Sequence, residues 1–215
     1  MSTNYFSYKN RNIAYSYSKN SSNKNDFLIV FLGGFMSNME GTKANFLYEY
    51  CKKNNYNFLK FDYSGHGLSG GNFNDFCISD WKEETLEIIK FFSKGSVILI
   101  GSSMGGWIGL IVGNILSEII GLICIAAAPD FTEDKIFKNL SVEQIKILNS
   151  QGYIEMPSNF SDSPYIFTKK LFDDGKKNLI MKKSLQFDFP VRLLHGTNDN
   201  EVDISTSLKL LKKIK

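Results

Sequence analysis

The hydrophobic residues of this chain fall into short runs that are separated by longer amphipathic stretches. Five runs of six to nine residues are mostly apolar and end in turn-forming residues, as strands buried on both faces of a sheet do. These runs cover residues 26–34, 57–63, 96–101, 121–129 and 190–196. Because strand-like runs alternate with helix-like segments, the pattern predicts an α/β fold with a mostly parallel central sheet and helices on both faces.

The segments between the predicted strands have the periodicity of α-helices. Residues 42–54 place Ala44, Leu47, Tyr48 and Cys51 on one face, which gives a single apolar stripe. A second segment, residues 79–94, has acidic residues early and lysines late, the order that complements the helix dipole. The segment from about 104 to 116 is apolar nearly all round and rich in glycine, which is typical of a buried central helix.

Residues 131–186 interrupt this alternation. The stretch mixes polar turns with a helix that begins at a capping box formed by Ser141 and Gln144. We predict a single domain, with a core of residues 1–130 and 187–215 and a small cap insertion at about 131–186. Ligands of such sheets bind beyond the carboxyl ends of the strands, so a cap at this place would overhang the site.

Composition narrows the classes of protein that fit. The chain has 215 residues and a net charge of +3, and its two arginines, Arg11 and Arg192, argue against a nucleic-acid partner. The three cysteines, Cys51, Cys77 and Cys124, are widely spaced, which predicts neither a disulfide framework nor a metal site and fits a reducing compartment. No secretory signal is recognisable and no apolar run approaches the roughly 20 residues of a membrane span, so we expect a cytoplasmic location without stable membrane insertion.

Serine stands between two glycines at two places in the chain. Ser69, in GLSGG, belongs to a long polar loop without a following helix, which favours an ordinary loop residue. Ser103, between Gly101 and Gly105, has a strand-like run before it and a helix-like run after it. This is the setting of a nucleophile elbow, in which a sharp turn lifts the serine oxygen above the sheet and the helix N-terminus faces the developing oxyanion.

Two other interpretations of this glycine cluster stay open on the residues alone. A tight strand-to-helix turn in a Rossmann-like sheet has a similar appearance without any catalytic serine. A nucleotide-binding module that uses GSSMGG as a phosphate loop is the weaker alternative. The cluster is not on the first strand–helix unit, lacks the Gly-Lys-Ser/Thr ending of a P-loop and does not spell Gly-x-Gly-x-x-Gly.

Five blocks of the sequence together resemble one family of proteins. They are VFLGGFMSNMEGTKA, FDYSGHGLSGG, LIGSSMGGWIGL, IAAAPDFTED and PVRLLHGTNDNEV, and they run from about residue 28 to residue 202 in family order. The resemblance is to bacterial α/β-hydrolases related to the mammalian mitochondrial α/β-hydrolase described as an acyl-protein thioesterase and acyl-glucuronide esterase. It implies the α/β-hydrolase fold and a serine hydrolase that cleaves acyl esters or thioesters without a cofactor or a metal.

The resemblance also implies roles for individual residues. Ser103 is the expected nucleophile, and Asp199 is the expected acid that orients the base. The backbone N–H groups of Phe35 and Met104 are the expected oxyanion hole, for which the pose of the backbone matters more than the side chains. Asp199 also fits this role unaided, as a carboxylate just past the end of a late strand, although an ordinary turn aspartate is an equally good interpretation of the residues alone.

The catalytic histidine is where this chain departs from the family. The resemblance places it in an Asp-His-Arg-like block after one further strand, and the residues up to Lys215 contain no such block. The sequence has two histidines, His66 and His195. We predict that both hold turns and that neither is the general base, which leaves a catalytically silent remnant that binds acyl ligands as the alternative to an active hydrolase.

Two further expectations follow from the same comparison. If the family's last strand and helix are missing, the run at 190–196 is an open sheet edge, which favours self-association. Five aromatic residues either line an apolar pocket for a small-molecule or acylated substrate or belong to the core. They are Phe35, Trp107, Phe160, Tyr165 and Phe167.

Overall fold

A computed structural model describes residues 3–20, 27–157 and 164–215 of the chain. The strands of these residues are β1 (Asn4–Tyr8), β2 (Arg11–Ser18), β3 (Phe27–Leu32), β4 (Asn57–Phe61), β5 (Ser96–Ser102), β6 (Ile119–Ile125), β7 (Tyr153–Met156), β8 (Tyr165–Thr168) and β9 (Val191–Leu194). Seven of them form one sheet in the order β1-β2-β4-β3-β5-β6-β9, and β7 and β8 form a separate hairpin.

The five predicted strands form the parallel part of the sheet. β3 pairs with β4 on one side and β5 on the other, and β6 and β9 extend the sheet beyond β5, all in parallel. Four of these five strands are shorter than the predicted apolar runs, because residues at the ends of the runs leave the ladder, and residue 26 lies outside the described ranges. β5 instead extends one residue beyond its predicted end, to Ser102, and β6 begins two residues earlier than predicted, at Ile119. The predicted fold class, a mostly parallel sheet flanked by helices, is confirmed.

An antiparallel hairpin at the N-terminus was not predicted. β1 pairs with β2, which in turn pairs with β4 in antiparallel register. Lys9 and Asn10 connect the two strands, and both have positive φ, 46° and 61°, the backbone that matches the twist of a tight hairpin. β1 is mostly exposed to solvent, so its sequence contains no apolar run that pattern analysis would detect.

The first four helices lie at the predicted places. They are α1 (Thr42–Lys53), α2 (Ile78–Phe92), α3 (Met104–Gly113), α4 (Val142–Gln151), α5 (Lys169–Lys177) and α6 (Ile204–Leu211), with short helical turns at 73–75, 132–136 and 137–139. α3 packs against β5 and β6, and its Trp107, Ile108 and Leu110 are fully buried. The prediction of a central, buried helix after Ser103 is therefore confirmed.

The segment between β6 and β9 contains α4, the β7–β8 hairpin and α5. The capping box predicted at Ser141 is present, because its hydroxyl accepts the Gln144 N–H at 3.1 Å and the Gln144 side chain accepts the Ser141 N–H at 2.9 Å. The buried carboxylate of Asp130 joins the two ends of the segment by accepting the N–H groups of Ile180 and Met181 at 2.9 and 3.0 Å. The predicted boundaries of a cap at about 131–186 stay a prediction.

The described residues hold no cluster of metal-ligating side chains, and none of their helices has the length and apolar character needed to cross a membrane. Cys51, Cys77 and Cys124 are buried free thiols.

We expect the edge of the sheet at β9 to support self-association. Within the described ranges β9 pairs with β6 alone, and Leu194 on β9 has 54% of its surface exposed. Replacing Leu194 with lysine places a charge on the open edge and blocks edge-to-edge pairing. Sedimentation velocity across a concentration series should show a rising average mass for the wild-type chain and a constant mass for Leu194→Lys.

Leu208 provides a matched control, because it is 55% exposed on α6 and takes no part in the sheet. Leu208→Lys should associate as the wild-type chain does. Equal loss of association in both variants would assign the contact to general surface hydrophobicity instead of the β9 edge.

Candidate active site

Ser103 occupies a sharp turn between β5 and α3. Its φ of 53° and ψ of −117° lie in a region that non-glycine residues rarely adopt, and the neighbouring backbone holds it there. The Ser103 N–H donates to Ile125 O at 3.0 Å, and Ser103 O accepts the N–H of Ala128 at 3.1 Å. Strained backbone at a strand-to-helix turn is the geometry of a nucleophile elbow.

The flanking glycines make this turn possible. A Cβ added at Gly101 would lie 2.3 Å from the carbonyl oxygen of Gly105, and a Cβ added at Gly105 would lie 2.1 Å from the carbonyl oxygen of Leu32. Both contacts involve backbone atoms, which cannot turn away as a flexible side chain can. Glycine at these two positions therefore allows the start of α3 to lie directly against the ends of β5 and β3.

The loop after β3 lies beside the serine. A Cβ added at Gly34 would lie 3.4 Å from the Cβ of Ser103, so the next residue, Phe35, begins within reach of the elbow. The backbone N–H groups of Phe35 and Met104 donate no hydrogen bond to any other residue that the structure describes. Two free N–H groups on the loop and at the start of α3 are the arrangement that an oxyanion hole needs.

The Phe35 side chain contributes more than the sequence suggested. Its ring stacks on Phe167 with the centroids 5.3 Å apart, and it meets Phe131 at 5.4 Å and Phe73 at 4.9 Å in edge-to-face geometry. These rings come from the segment 131–186 as well as from the core, so the Phe35 side chain holds the loop after β3 between the two. We expected the side chain at position 35 to matter less than the backbone, and this packing was not part of that expectation.

Ser103 and Asp199 line one cavity of about 750 Å³. Its apolar lining comes largely from the loop after β3 and from the segment between β6 and β9: Phe35, Phe131, Ile136, Met156, Tyr165 and Phe167. Of the other aromatic candidates, Trp107 is buried and donates its indole N–H to Asn178 O at 3.1 Å, and Phe160 lies outside the described residues. Three of the five proposed aromatics thus line the cavity.

Asp199 is held in a fixed pose by the turn that follows β9. Its Oδ1 accepts the N–H groups of Glu201 and Val202, both at 2.9 Å. These bonds, with Val202 as the main contributor, hold the pKa of Asp199 below its usual range. The carboxylate is therefore ionised at neutral pH, and its Oδ2 stays available to orient a cation or an N–H group in the cavity.

Neither histidine lines the cavity. His195 has its Nδ1 2.6 Å from Ser207 Oγ and its Nε2 2.7 Å from Val202 O, and its Nε2 is 3.9 Å from Asp199 Oδ2. His66 lies under the loop after β3, where its Nε2 accepts the Met36 N–H at 3.2 Å. Both rings thus have other hydrogen-bond partners, and it stays a prediction that neither is the general base.

Burial keeps His66 neutral and lowers its pKa from 6.5 to about 4. As the pH falls, His66 therefore takes up a proton near pH 6.5 in the unfolded chain but only near pH 4 in the folded chain. We expect the His66 contribution to the free energy of unfolding to be complete above pH 6.5 and to fall by about 3 kcal/mol as the pH drops to 4. Urea unfolding of the wild type and His66→Gln at several pH values gives the free energy of unfolding of each protein against pH. The difference between these two curves measures the His66 contribution.

The difference is needed because three buried carboxyls also have shifted pKa values in the folded chain. Burial raises the pKa of Asp62, Glu84 and Asp130, which gives their contributions the opposite pH dependence. These carboxyls are present in both proteins, so they largely cancel. Parallel curves for the wild type and His66→Gln would contradict the prediction.

Ser69, in the second Gly-x-Ser-x-Gly match, forms hydrogen bonds that hold the fold together. Its hydroxyl donates to Asp62 O at 2.5 Å and accepts the Ala14 N–H at 2.8 Å. The geometry supports the interpretation of Ser69 as a loop residue that ties the segment after β4 to β2.

Two charged residues that hold the loop after β3 were not predicted from the sequence. Asp62 Oδ1 accepts the Met39 N–H at 2.6 Å, and the fully buried Lys60 donates to Met39 O at 2.9 Å. Both stand in FLKFDY, where charges interrupt an otherwise apolar strand. Charges at such positions are a signal of buried, partnered polar groups, and they would have pointed to this anchor.

Comparisons with known proteins identify the family of this chain. The Hydrolase_4 family (serine aminopeptidase, S33) matches residues 23–154. The human palmitoyl-protein thioesterase ABHD10, mitochondrial, is 34% identical over 188 residues, which cover 86% of this chain and 61% of that protein. The chain thus spans less than two thirds of the length of this relative.

Two solved structures are similar over the whole chain. A protein from Agrobacterium vitis S4 that carries a hydrolase name has a TM-score of 0.93 and 35% identity, covering 100% of this chain and 86% of its own. The mouse alpha/beta hydrolase domain-containing protein 10 has a TM-score of 0.87 and 30% identity, covering 100% and 85%. The resemblance in the five sequence blocks is therefore confirmed, and the chain belongs to the Hydrolase_4 family of α/β-hydrolases.

Proposed function

We propose that this chain is a serine hydrolase that cleaves acyl esters or thioesters through an acyl-enzyme on Ser103. The observation that carries the proposal is that the strained Ser103, Phe35 and the ionised Asp199 line one largely apolar cavity, with the free N–H of Met104 directly after the serine. An apolar cavity of about 750 Å³ suits an acyl group. The thioesterase name of the mammalian relatives favours thioesters among the substrates.

The reaction begins when Ser103 Oγ attacks the acyl carbonyl carbon. The C=O electron pair moves onto oxygen, and the N–H groups of Phe35 and Met104 bind the oxyanion. The carbonyl reforms as the alcohol or thiol leaves with a proton, and water then attacks the acyl-enzyme to release the acid and regenerate Ser103. Neither histidine lines the cavity, so the proton acceptor in this proposal is a base from solution. Asp199 orients that base, which takes the serine proton and then returns it to the leaving group.

A second candidate is a silent protein that binds acyl ligands in the same cavity. It is favoured by one observation, that neither His66 nor His195 lines the cavity. The two candidates share the binding site and differ in whether Ser103 is nucleophilic. The expected cytoplasmic location stays a prediction under either one.

Labelling with a fluorophosphonate probe, followed by intact mass, separates the two candidates. The probe forms a covalent bond only with a serine whose oxygen attacks phosphorus, so we expect one adduct on the wild type and none on Ser103→Ala. Ser102→Ala is the matched control, since Ser102 precedes the elbow and also lines the cavity, and it should keep the adduct. A folded wild-type chain that takes no label would replace the hydrolase with the silent protein.

A further inference from the structure

We propose that His66 is a positioning residue for the oxyanion hole. It accepts the Met36 N–H and thereby fixes the peptide group that follows Phe35. The proposal rests on the proposed function, because the Phe35 N–H that His66 helps to position binds an oxyanion only if Ser103 attacks an acyl group. The loop GHG, between β4 and α2, would thus position the loop after β3 although it supplies no residue that contacts the substrate.

The ring of His66 is held in one tautomer. Its Nδ1 lies 3.3 Å from Ser64 O, which can only accept, and its Nε2 lies 3.2 Å from Met36 N, which can only donate. Both contacts are satisfied only by a neutral ring with its hydrogen on Nδ1. Ser64 itself is fixed, because its carbonyl also accepts the Trp81 indole N–H at 3.1 Å and its N–H donates to Glu84 at 2.9 Å.

The tautomer in turn selects the orientation of one peptide group. The N–H of Met36 and the carbonyl of Phe35 belong to the same trans peptide and point in opposite directions. A flip of this peptide would turn the Phe35 carbonyl oxygen toward the lone pair on His66 Nε2, which repels it. Met36 has a φ of 53°, a backbone that methionine seldom adopts unaided, so an external partner is needed at this position.

The surroundings of His66 favour a fixed support over a proton carrier. Only 3% of its surface is exposed, and its ring meets those of Tyr63, Phe73 and Trp81 at 5.6, 5.0 and 5.1 Å. Phe73 also packs on the Phe35 ring, with centroids 4.9 Å apart. The loop after β3 is thus supported through a backbone hydrogen bond at Met36 and through an aromatic contact at Phe35.

Two substitutions of His66 separate positioning from packing. The side-chain amide of glutamine reaches the place of Nε2 and can accept the Met36 N–H, whereas that of asparagine reaches only the place of Nδ1. Direct loss of one oxyanion donor slows an enzyme on the order of 10²–10³-fold, and misalignment has a smaller effect. We therefore expect His66→Asn to slow fluorophosphonate labelling of Ser103 about tenfold or more, and His66→Gln to retain the rate within about threefold.

The loss should fall on the maximal labelling rate and leave the probe concentration at half-maximal rate unchanged, because the oxyanion forms only during attack. Equal rates in the two variants, or losses that follow their melting temperatures, would overturn the proposal and make His66 a core residue. The amide resonances of Phe35 and Met36 give a readout without any reaction. They should shift in His66→Asn and stay in place in His66→Gln.

These measurements also distinguish failure of the inference from failure of the proposed function. A wild-type chain without label, together with the expected amide shifts, would reject the hydrolase and leave the support of the loop by His66 standing. A labelled wild-type chain whose Met36 resonance is unchanged in His66→Asn would reject the role of His66 alone.

Discussion

Replacing Gly105 with alanine will remove most of the stability of this fold. The added Cβ would lie 2.1 Å from Leu32 O and 2.5 Å from Gly33 O, and both are backbone atoms at the end of a central strand. Ordinary overpacking costs about 1–3 kcal/mol, and alanine gains about 1 kcal/mol in helix propensity over glycine. Because the sheet and α3 must move apart to relieve this contact, we expect a net loss of about 4 kcal/mol or more in the free energy of unfolding.

Urea unfolding followed by circular dichroism measures this loss, and Gly196→Ala is the control. Gly196 follows β9, and an added Cβ there would meet no atom within 4 Å. Its substitution should change the free energy of unfolding by no more than about 0.5 kcal/mol. A Gly105→Ala protein as stable as Gly196→Ala would show that α3 does not lie as close to β3 as the structure places it.

The same close approach links the fold to the site. Gly105 lets α3 lie against the end of β3, and the loop that carries Phe35 starts at that end. A helix held farther away would separate the Met104 N–H from the Phe35 N–H as well as open the core. Gly105 is thus required by the packing of the fold and, under the proposed function, by the oxyanion hole as well.

The elbow was predictable because its signals are local. Gly101, Ser103 and Gly105 lie within five residues, and the apolar runs on both sides set the strand and the helix that the turn joins. The parallel strands were predictable for a related reason. Each is buried on both faces and therefore appears as a continuous apolar run. The proposed role of Asp199 depends on the family resemblance, since an aspartate in TNDN is also an ordinary turn residue, and it stays a prediction.

Other parts of the molecule depend on contacts between distant segments. The hairpin β1–β2 has one strand exposed to solvent, so no apolar run marks it. The Met36 N–H finds its acceptor in His66, 30 residues later in the chain. Phe35 packs on Phe167, and only the folded segment between β6 and β9 brings these rings together. The periodicity of apolar residues does not encode such contacts between distant segments. The fold was therefore easier to predict than the contacts that hold the loop after β3.

Imidazole in solution will accelerate the modification of Ser103 in the wild-type chain. Ser103 and Asp199 face a common cavity that no histidine of this sequence lines, and the cavity has room for a small heterocycle. Asp199 Oδ2 can accept one imidazole N–H, leaving the other ring nitrogen free to take the serine proton. A positioned base contributes about 10²–10⁴-fold, and a diffusing one supplies only the lower part of that range. We therefore expect a rise of about tenfold or more in the labelling rate.

The measurement is the rate of fluorophosphonate labelling against imidazole concentration at constant pH and ionic strength. The rate should saturate, because imidazole occupies a site, and a sulfonated morpholine buffer at the same pH should have no such effect. Asp199→Asn should label without the saturating rise, since a neutral amide no longer holds imidazole and stabilises its cation. A rise that is linear in imidazole and equal in the wild type and Asp199→Asn would show that Asp199 orients nothing in this cavity. In that case Asp199 would be a turn residue, held by the N–H groups of Glu201 and Val202 and without a part in the chemistry.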